Sequence, residues 1–447
     1  MKRTTTGVFA VVSAAALVLT ACGGTTDDTS DQTTAEQSAE DTAAASAEDT
    51  EAADPAATTE EGGEPAASDG TNLVIWADDL RAAALEEHAK TFEEETGVPV
   101  KIQIVANEKL REQFKDSVGA GAGPDIAVGA HDWLGELVQN NVVAPVQMSS
   151  DVVDAFTPES IEAVTYQGQT YAVPYAVESL GLIRNTALAP EAPGSMEALV
   201  ENGKKLVEDG STELIMTQEV GKEGNAYSLY PYLSAYGGGI FPVLPEGGFD
   251  GTKVILDSEE TIQGAEKMQW LADEGALSTN QDASNVIPLF SDEKAAYMVS
   301  GPWAVGQISD AGIDYAIDPI PDFEDGGETS PFLGVQAFYV SAASKNPQIA
   351  QTFVQEFVTR PEVQVSLYEA GNRPPALIEA YEQVAAEDDD IAAWGKAAEG
   401  GTPMPNIPEM NAVWGPLGKA TADIVSGQDP AERLATTQKE VEDALKQ

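Results

Sequence analysis

A chain of 447 residues with 75 Asp and Glu against 23 Lys and Arg carries a formal net charge of −52. That surplus argues against nucleic acid, whose phosphates need basic partners, and against a folded domain held to anionic lipid by basic charge. A single cysteine, Cys22, excludes an internal disulfide framework, a Cys-ligated zinc site and a C-x-x-C redox motif, and His88 and His131 leave few candidates for a His-based triad or metal site.

Residues 1–22 read as an export signal, with Lys2 and Arg3 ahead of an apolar stretch from Val8 to Thr20. That stretch is too short to remain as a spanning helix, which needs roughly 20 apolar residues. It ends Leu19-Thr20-Ala21-Cys22 and resembles a bacterial lipobox, so Cys22 is the expected lipidation site and the chain is expected on the outer face of the cytoplasmic membrane. Residues 23–70 are mostly Thr, Ala, Ser, Gly and acidic residues, 14 of the last, with no Lys, Arg or aromatic. Such a segment cannot offset its ordering entropy and is expected to be a disordered acidic linker.

From residue 71 onward strands and helices alternate. Leu73 to Trp76 is a continuous apolar run, as in a strand buried on both faces. A helix follows with Leu85, Ala89 and Phe92 inward, closed by Gly97. Val100 to Val105 predicts a strand, the stretch from Glu108 a helix with Leu110 and Phe114 inward, and Pro124 to Val128 a third strand. Later, Asn346-Pro347 predicts an N-cap and first turn, with Ile349, Phe353 and Phe357 inward. Asp429-Pro430 predicts the start of a last helix carrying Leu434, Val441 and Leu445. The rhythm indicates an α/β chain with helices layered on mainly parallel sheets, and its length favours two lobes. Trp76 and Trp270 are expected to be core.

Six stretches resemble the maltose/maltodextrin-binding proteins of carbohydrate ABC transporters. They are Leu73-Val74-Ile75-Trp76; Phe92-Glu93 with Thr96-Gly97; Gly123-Pro124-Asp125-Ile126 with Ala130-His131-Asp132; Tyr175-Ala176-Val177-Glu178; Ser300-Gly301-Pro302-Trp303; and Met404-Pro405-Asn406-Ile407-Pro408 with Trp414. The resemblance implies a two-lobed fold like the type II periplasmic binding proteins, with discontinuous lobes joined by a hinge. Residues 71–176 and 337–377 would form one lobe, 177–336 and 378–447 the other, with crossings near Ala176, Gln336 and Leu377. Ligand would lie in the cleft and closure would be a hinge motion.

A sugar offers hydroxyls at its edge and C–H groups on its faces, so its site needs planar polar groups and aromatic platforms. By the resemblance, Trp303, Trp414 and Tyr227 are platforms, Asp132 and Glu178 accept from hydroxyls, and Met404 is a soft contact. Arg81 stands where the family has an Asp-Lys pair, with Asp78 or Asp79 facing the sugar. Arg373 lines the cleft or structures the third crossing. Gly129 and Trp133 depart from the pattern, and Trp133 is the expected substitute for a platform absent at Gly129. Arg111 replaces an acidic residue. His131 is expected to be structural. The ligand would be maltose, a longer α-glucan or trehalose, delivered by a monomeric receptor to membrane permease subunits, with no cofactor and no ATP-binding loop. Two other readings are a glycosidase using Asp132 and Glu178, and a receptor for a polyamine or metal cation suggested by the acidic surplus.

Overall fold

The computed structural model describes residues 66–244 and 248–446. The export signal, Cys22 and the linker up to residue 65 lie outside the described residues. Within the range expected for the linker, the chain from Ala66 already engages the fold: Ser68 Oγ donates to Asp125 Oδ1 at 2.6 Å, and Trp76 Nε1 to the Ala66 carbonyl at 2.7 Å.

Three parallel strands, β1 (Leu73–Ala77), β2 (Val100–Ile104) and β3 (Ile126–Ala130), start the first sheet, with α1 (Asp79–Thr96) and α2 (Asn107–Gly119) as crossovers. All five β1 residues are buried, as a continuous apolar run requires. Asp78 caps α1 by accepting from the Arg81 N–H, and Gly97, at φ 73°, closes it in the left-handed region that favours glycine. After the hairpin β4 (Thr165–Tyr166) and β5 (Gln169–Thr170), β6 (Ala172–Glu178) leads straight into β7 (Gly181–Asn185) of a second sheet. That sheet also holds β8 (Thr217–Gln218), β9 (Tyr297–Ser300) and β10 (Tyr315–Asp318), in the order β10-β7-β9-β8. The chain returns through β11 (Phe332–Val340), and β12 (Thr402–Pro403) pairs with the start of β11.

The sheets are mixed, which corrects the expectation of mainly parallel ones. β11 runs antiparallel to both β3 and β6, and β7 runs antiparallel to β9 and β10. The cause is connectivity. A parallel neighbour needs a crossover on its own sheet, whereas β11 arrives from the other sheet, against the direction in which β6 left.

Alternation along the strands gives each sheet two apolar faces. Leu73, Ile75 and Ala77 join Phe92, Phe338, Phe353 and Phe357, while Val74 and Trp76 join Phe114, Trp133 and Tyr339. In the second sheet Leu182 and Val299 face Leu229, Met268 and Val413, and Ile183 and Met298 face Phe290, Ile308 and Trp394. Each such side chain contributes about 1.5–3 kcal/mol by leaving water. Trp76 is core as expected, and Trp270 is partly buried against Phe323.

The last helix, Pro430–Ala444, starts as expected, with the Asp429 carboxylate accepting from the Glu432 N–H. Asn346 differs. It precedes the helix Pro347–Thr352 without a side-chain cap bond, and its Nδ2 donates to the Asn72 carbonyl at 2.8 Å. The three segments expected to carry crossings lie side by side. Ala176 pairs with Gln336 and bridges to Pro375, and the Val177 N–H donates to the Pro374 carbonyl.

Candidate functional site

Where a strand ends, its next residues stand clear of the sheet, and ligands of open α/β sheets bind outside carboxyl ends. Here Asp78 and Arg81 follow β1, a 3-10 turn His131–Trp133 follows β3, and Glu178 ends β6. Gly301 and the 3-10 turn Pro302–Ala304 follow β9. Local geometry thus places most of the expected residues together.

The charged members form one buried chain of hydrogen bonds. Arg81 donates from Nη1 to Asp78 at 2.6 Å, from Nε to the Tyr175 hydroxyl at 2.5 Å, and from Nη2 to Gln336 Oε1 at 2.6 Å. Gln336 Nε2 donates to Glu178 Oε1 at 2.6 Å, and Arg373 Nε donates to Glu178 Oε2 at 2.5 Å. The Arg373 guanidinium then lies over the Trp303 ring, 5.3 Å from its centroid, a cation–π geometry. Arg373 thus touches Trp303 and Glu178 from the segment expected to carry the third crossing. Of the adjacent acids, Asp78 is the one engaged, while Asp79 is exposed in the first turn of α1.

The aromatic members also converge. Tyr227 lies 6.4 Å from Trp303 and 6.2 Å from Phe332, and Phe332 meets Trp414 edge-on at 6.1 Å. Trp303, Tyr227 and Trp414 are partly buried, while Phe332 is 1% exposed and backs the group. The Tyr227 hydroxyl is shielded and has no hydrogen-bond partner among the described residues. Burial, and then the Glu178 carboxylate, push its pKa well above the ordinary value, so it remains a donor. A buried unpaired hydroxyl costs about 1–3 kcal/mol, which a ligand oxygen would relieve.

Asp132 joins the two groups from the first-sheet side. Its Oδ2 accepts from Trp414 Nε1 at 3.0 Å. Burial pushes its carboxyl up to about 6, opposed by Arg111 and the Trp414 bond and reinforced by Glu136. His131 is structural, as expected. The Val335 N–H donates to Nδ1 at 3.0 Å, so Nε2 carries the proton and donates to the Met404 carbonyl at 2.9 Å. Burial lowers its pKa to about 4, keeping the ring neutral.

Two expected residues sit elsewhere. Trp133 is 7% exposed and stacks on Tyr339, 6.4 Å away. A Cβ on Gly129 would lie 2.0 Å from its ring, so the indole fills the space over that glycine as core rather than offering an open platform. Met404 is 6% exposed and packs in the second-sheet core. Sequence reasoning missed Gln336 as a site residue, as well as Phe332 and Tyr175. Only Tyr175 carried a signal, inside the Tyr-Ala-Val-Glu stretch.

A cavity of about 650 Å³ opens beside the crossing segments, next to Val177, Leu333, Pro374 and Trp394. Its walls include Glu178, His131 and Met404 but none of Tyr227, Trp303, Trp414 or Asp132. The platforms and free polar groups converge outside it, and that convergence defines the candidate site.

Residues 87–399 match the family described as bacterial extracellular solute-binding protein. The chain belongs to that family. It is 30% identical to the galactooligosaccharide-binding protein of Bacillus subtilis (strain 168) over 84% of its own length and 90% of that protein's. It is 29% identical to the maltotriose-binding protein of Pyrococcus abyssi (strain GE5 / Orsay), covering 84% and 82%. Similarity to the maltooligosaccharide ABC transporter solute-binding lipoprotein of Streptococcus pneumoniae (strain ATCC BAA-255 / R6) is 28%, covering 85% and 89%. The six sequence stretches that resembled carbohydrate-binding relatives thus belong to a solute-binding chain. Among the described residues no helix is long and apolar enough to cross a membrane.

Proposed function

We propose that this solute-binding protein is the receptor of an ABC importer for an oligosaccharide of the maltotriose class. The sugar would lie across Trp303, Tyr227 and Trp414, with hydroxyls bonded to the Tyr227 hydroxyl and to Asp132. The observation that carries this reading is the Tyr227 hydroxyl, buried without a partner among the described residues in an aromatic group that faces a carboxylate. The maltotriose-binding and maltooligosaccharide-binding names of two relatives support the same class. One lobe would comprise residues 71–176 and 337–377 and the other 177–336 and 378–447, closing about the adjacent crossing segments. Lipidation at Cys22 would hold a monomeric receptor at the outer membrane face, where permease subunits would receive the sugar.

The binding reading is favoured over a glycosidase because both Glu178 oxygens are taken, one by Gln336 and one by Arg373. With both oxygens held by side chains of this protein, neither is free to attack a sugar carbon or to activate a water. A cation receptor is disfavoured because Asp78 and Glu178 are each neutralised by an arginine of this chain. Calorimetric titration with maltotriose, a galactooligosaccharide and spermidine tests the proposal. Saturable heat with maltotriose and none with spermidine is expected; binding of spermidine alone overturns it. Release of product from a chromogenic α-glucoside, abolished by Glu178→Gln, would overturn the receptor role.

A further inference from the structure

The residues first cast as sugar ligands are largely consumed by one another. Asp78, Arg81, Gln336, Glu178 and Arg373 form an unbroken line from the start of α1, across the paired crossing strands, to the face of Trp303. All five are at least nine-tenths buried. We propose that Gln336 is the positioning residue of the sugar site, transmitting the placement of α1 to the Trp303 platform through the polarity of its side-chain amide. The inference rests on the oligosaccharide reading above and deepens it.

Chemistry fixes the amide's orientation. A guanidinium only donates and a carboxylate only accepts, so the Gln336 oxygen must face Arg81 and its nitrogen must face Glu178. Glutamine meets both demands in one neutral side chain; a hydroxyl would have to reach both, and an aliphatic residue meets neither. The backbone serves the same contact. Pairing of β11 with β6 shifts register between Gln336 and Ala337, from Ala176 to Pro174, which leaves Tyr175 as an extra residue. Such a bulge re-aims a side chain, and here the Tyr175 hydroxyl reaches Arg81 Nε while its carbonyl accepts from the Ala376 N–H of the third crossing. Gln336 therefore sits where all three crossings meet, and an error in its amide would be felt at Glu178, Arg373 and then Trp303.

Replacing the amide by a carboxyl gives a reversible test. In Gln336→Glu a deprotonated residue 336 still accepts from Arg81 but sets two carboxylates against each other at the Glu178 contact. A protonated one restores an acceptor toward Arg81 and a donor toward Glu178. The pair would take up one shared proton as pH falls. The charged or titratable groups facing this position are Arg81 and Asp78 at α1, Glu178 and Tyr175 on β6, and Arg373, with Tyr227 near Glu178 from the aromatic group. His131 senses Glu178 from the turn after β3. All are present in the wild-type chain, so each variant is compared with wild type at the same pH.

The experiment is calorimetric titration of the full chain with maltotriose at pH 7.5 and 5.0, with melting temperature measured without sugar at both. Gln336→Glu is expected to bind about tenfold more weakly than wild type at pH 7.5 and to return to within about threefold at pH 5.0. Its melting temperature should recover in parallel. Gln336→Leu should be impaired equally at both. Wild-type affinity of Gln336→Glu at pH 7.5, or an equal defect or failure to fold at both pH values, overturns the proposal. If wild type binds no maltotriose, the oligosaccharide reading fails, and the sugar-free melting recovery still decides the Gln336 polarity.

Discussion

His131 and Asp132 are neighbours whose burial pushes their titrations in opposite senses, and a pH series on His131→Gln exposes this. The ring is held neutral between the Val335 N–H and the Met404 carbonyl, with a folded pKa of about 4 against an ordinary 6.5. In the unfolded chain it takes up a proton as pH falls below 6.5, and in the folded chain only near 4. Stability is therefore lost as pH falls through that window, by about 2–3 kcal/mol between pH 7 and 4.5. Asp132 works the other way. Its folded carboxyl titrates near 6 against an ordinary 3.8, so acidification over the same interval adds back about 2 kcal/mol. In wild type the pair nearly cancels. Urea unfolding at pH 7 and 4.5 should show the His131→Gln stability rising on acidification relative to wild type by about 2–3 kcal/mol, whatever its absolute loss. Asp132→Asn should fall relative to wild type by about 2 kcal/mol. Equal pH responses in all three proteins would refute the assignment of a neutral buried His131.

Three further outcomes follow from single contacts. A Cβ at Gly301 would lie 2.1 Å from the Trp303 ring, whereas one at Gly129 meets Trp133 at 2.0 Å. Gly301→Ala should therefore weaken maltotriose binding and alter Trp fluorescence, while Gly129→Ala should chiefly cost stability, about 1–3 kcal/mol by overpacking, seen as a lower melting temperature. Glu178→Ala leaves the Arg373 guanidinium buried and unpaired, and should destabilise by about 3–5 kcal/mol in urea titration while loosening Trp303. Trp414→Phe removes the donor to Asp132 and should raise that carboxyl's pKa further, measurable by carbon-detected NMR titration.

Local rules made much of the fold legible. The apolar run of β1, the glycine that closes α1 and the Asp429 cap each depend on residues within one or two turns, and the structure has all three. Asn346 shows the limit. Its cap signal is local, but the contact its side chain makes is with a carbonyl at Asn72, distant in sequence. The same holds at the site. Trp303, Trp414, Tyr227, Asp132, Glu178, Arg81 and Arg373 were marked by motif, and the fold brings them together. Gln336 and Phe332 were not, because each is one position on a mostly buried strand. What sets them apart is a partner across the sheet or between sheets: Glu178 lies 158 positions from Gln336 in sequence. Trp133 differs from its expected place for a similar reason. Its spacing from Gly129 suggested a vacant place to fill, but not that filling it would bury the ring against Tyr339.

The most direct measurement is a crystal structure of the chain grown with maltotriose. Sugar rings against Trp303 or Trp414, with a hydroxyl oxygen within hydrogen-bond distance of the Tyr227 hydroxyl, are expected. Sugar seated instead in the cavity beside Val177 and Trp394, or a Tyr227 hydroxyl still without a partner, would contradict the binding site described here.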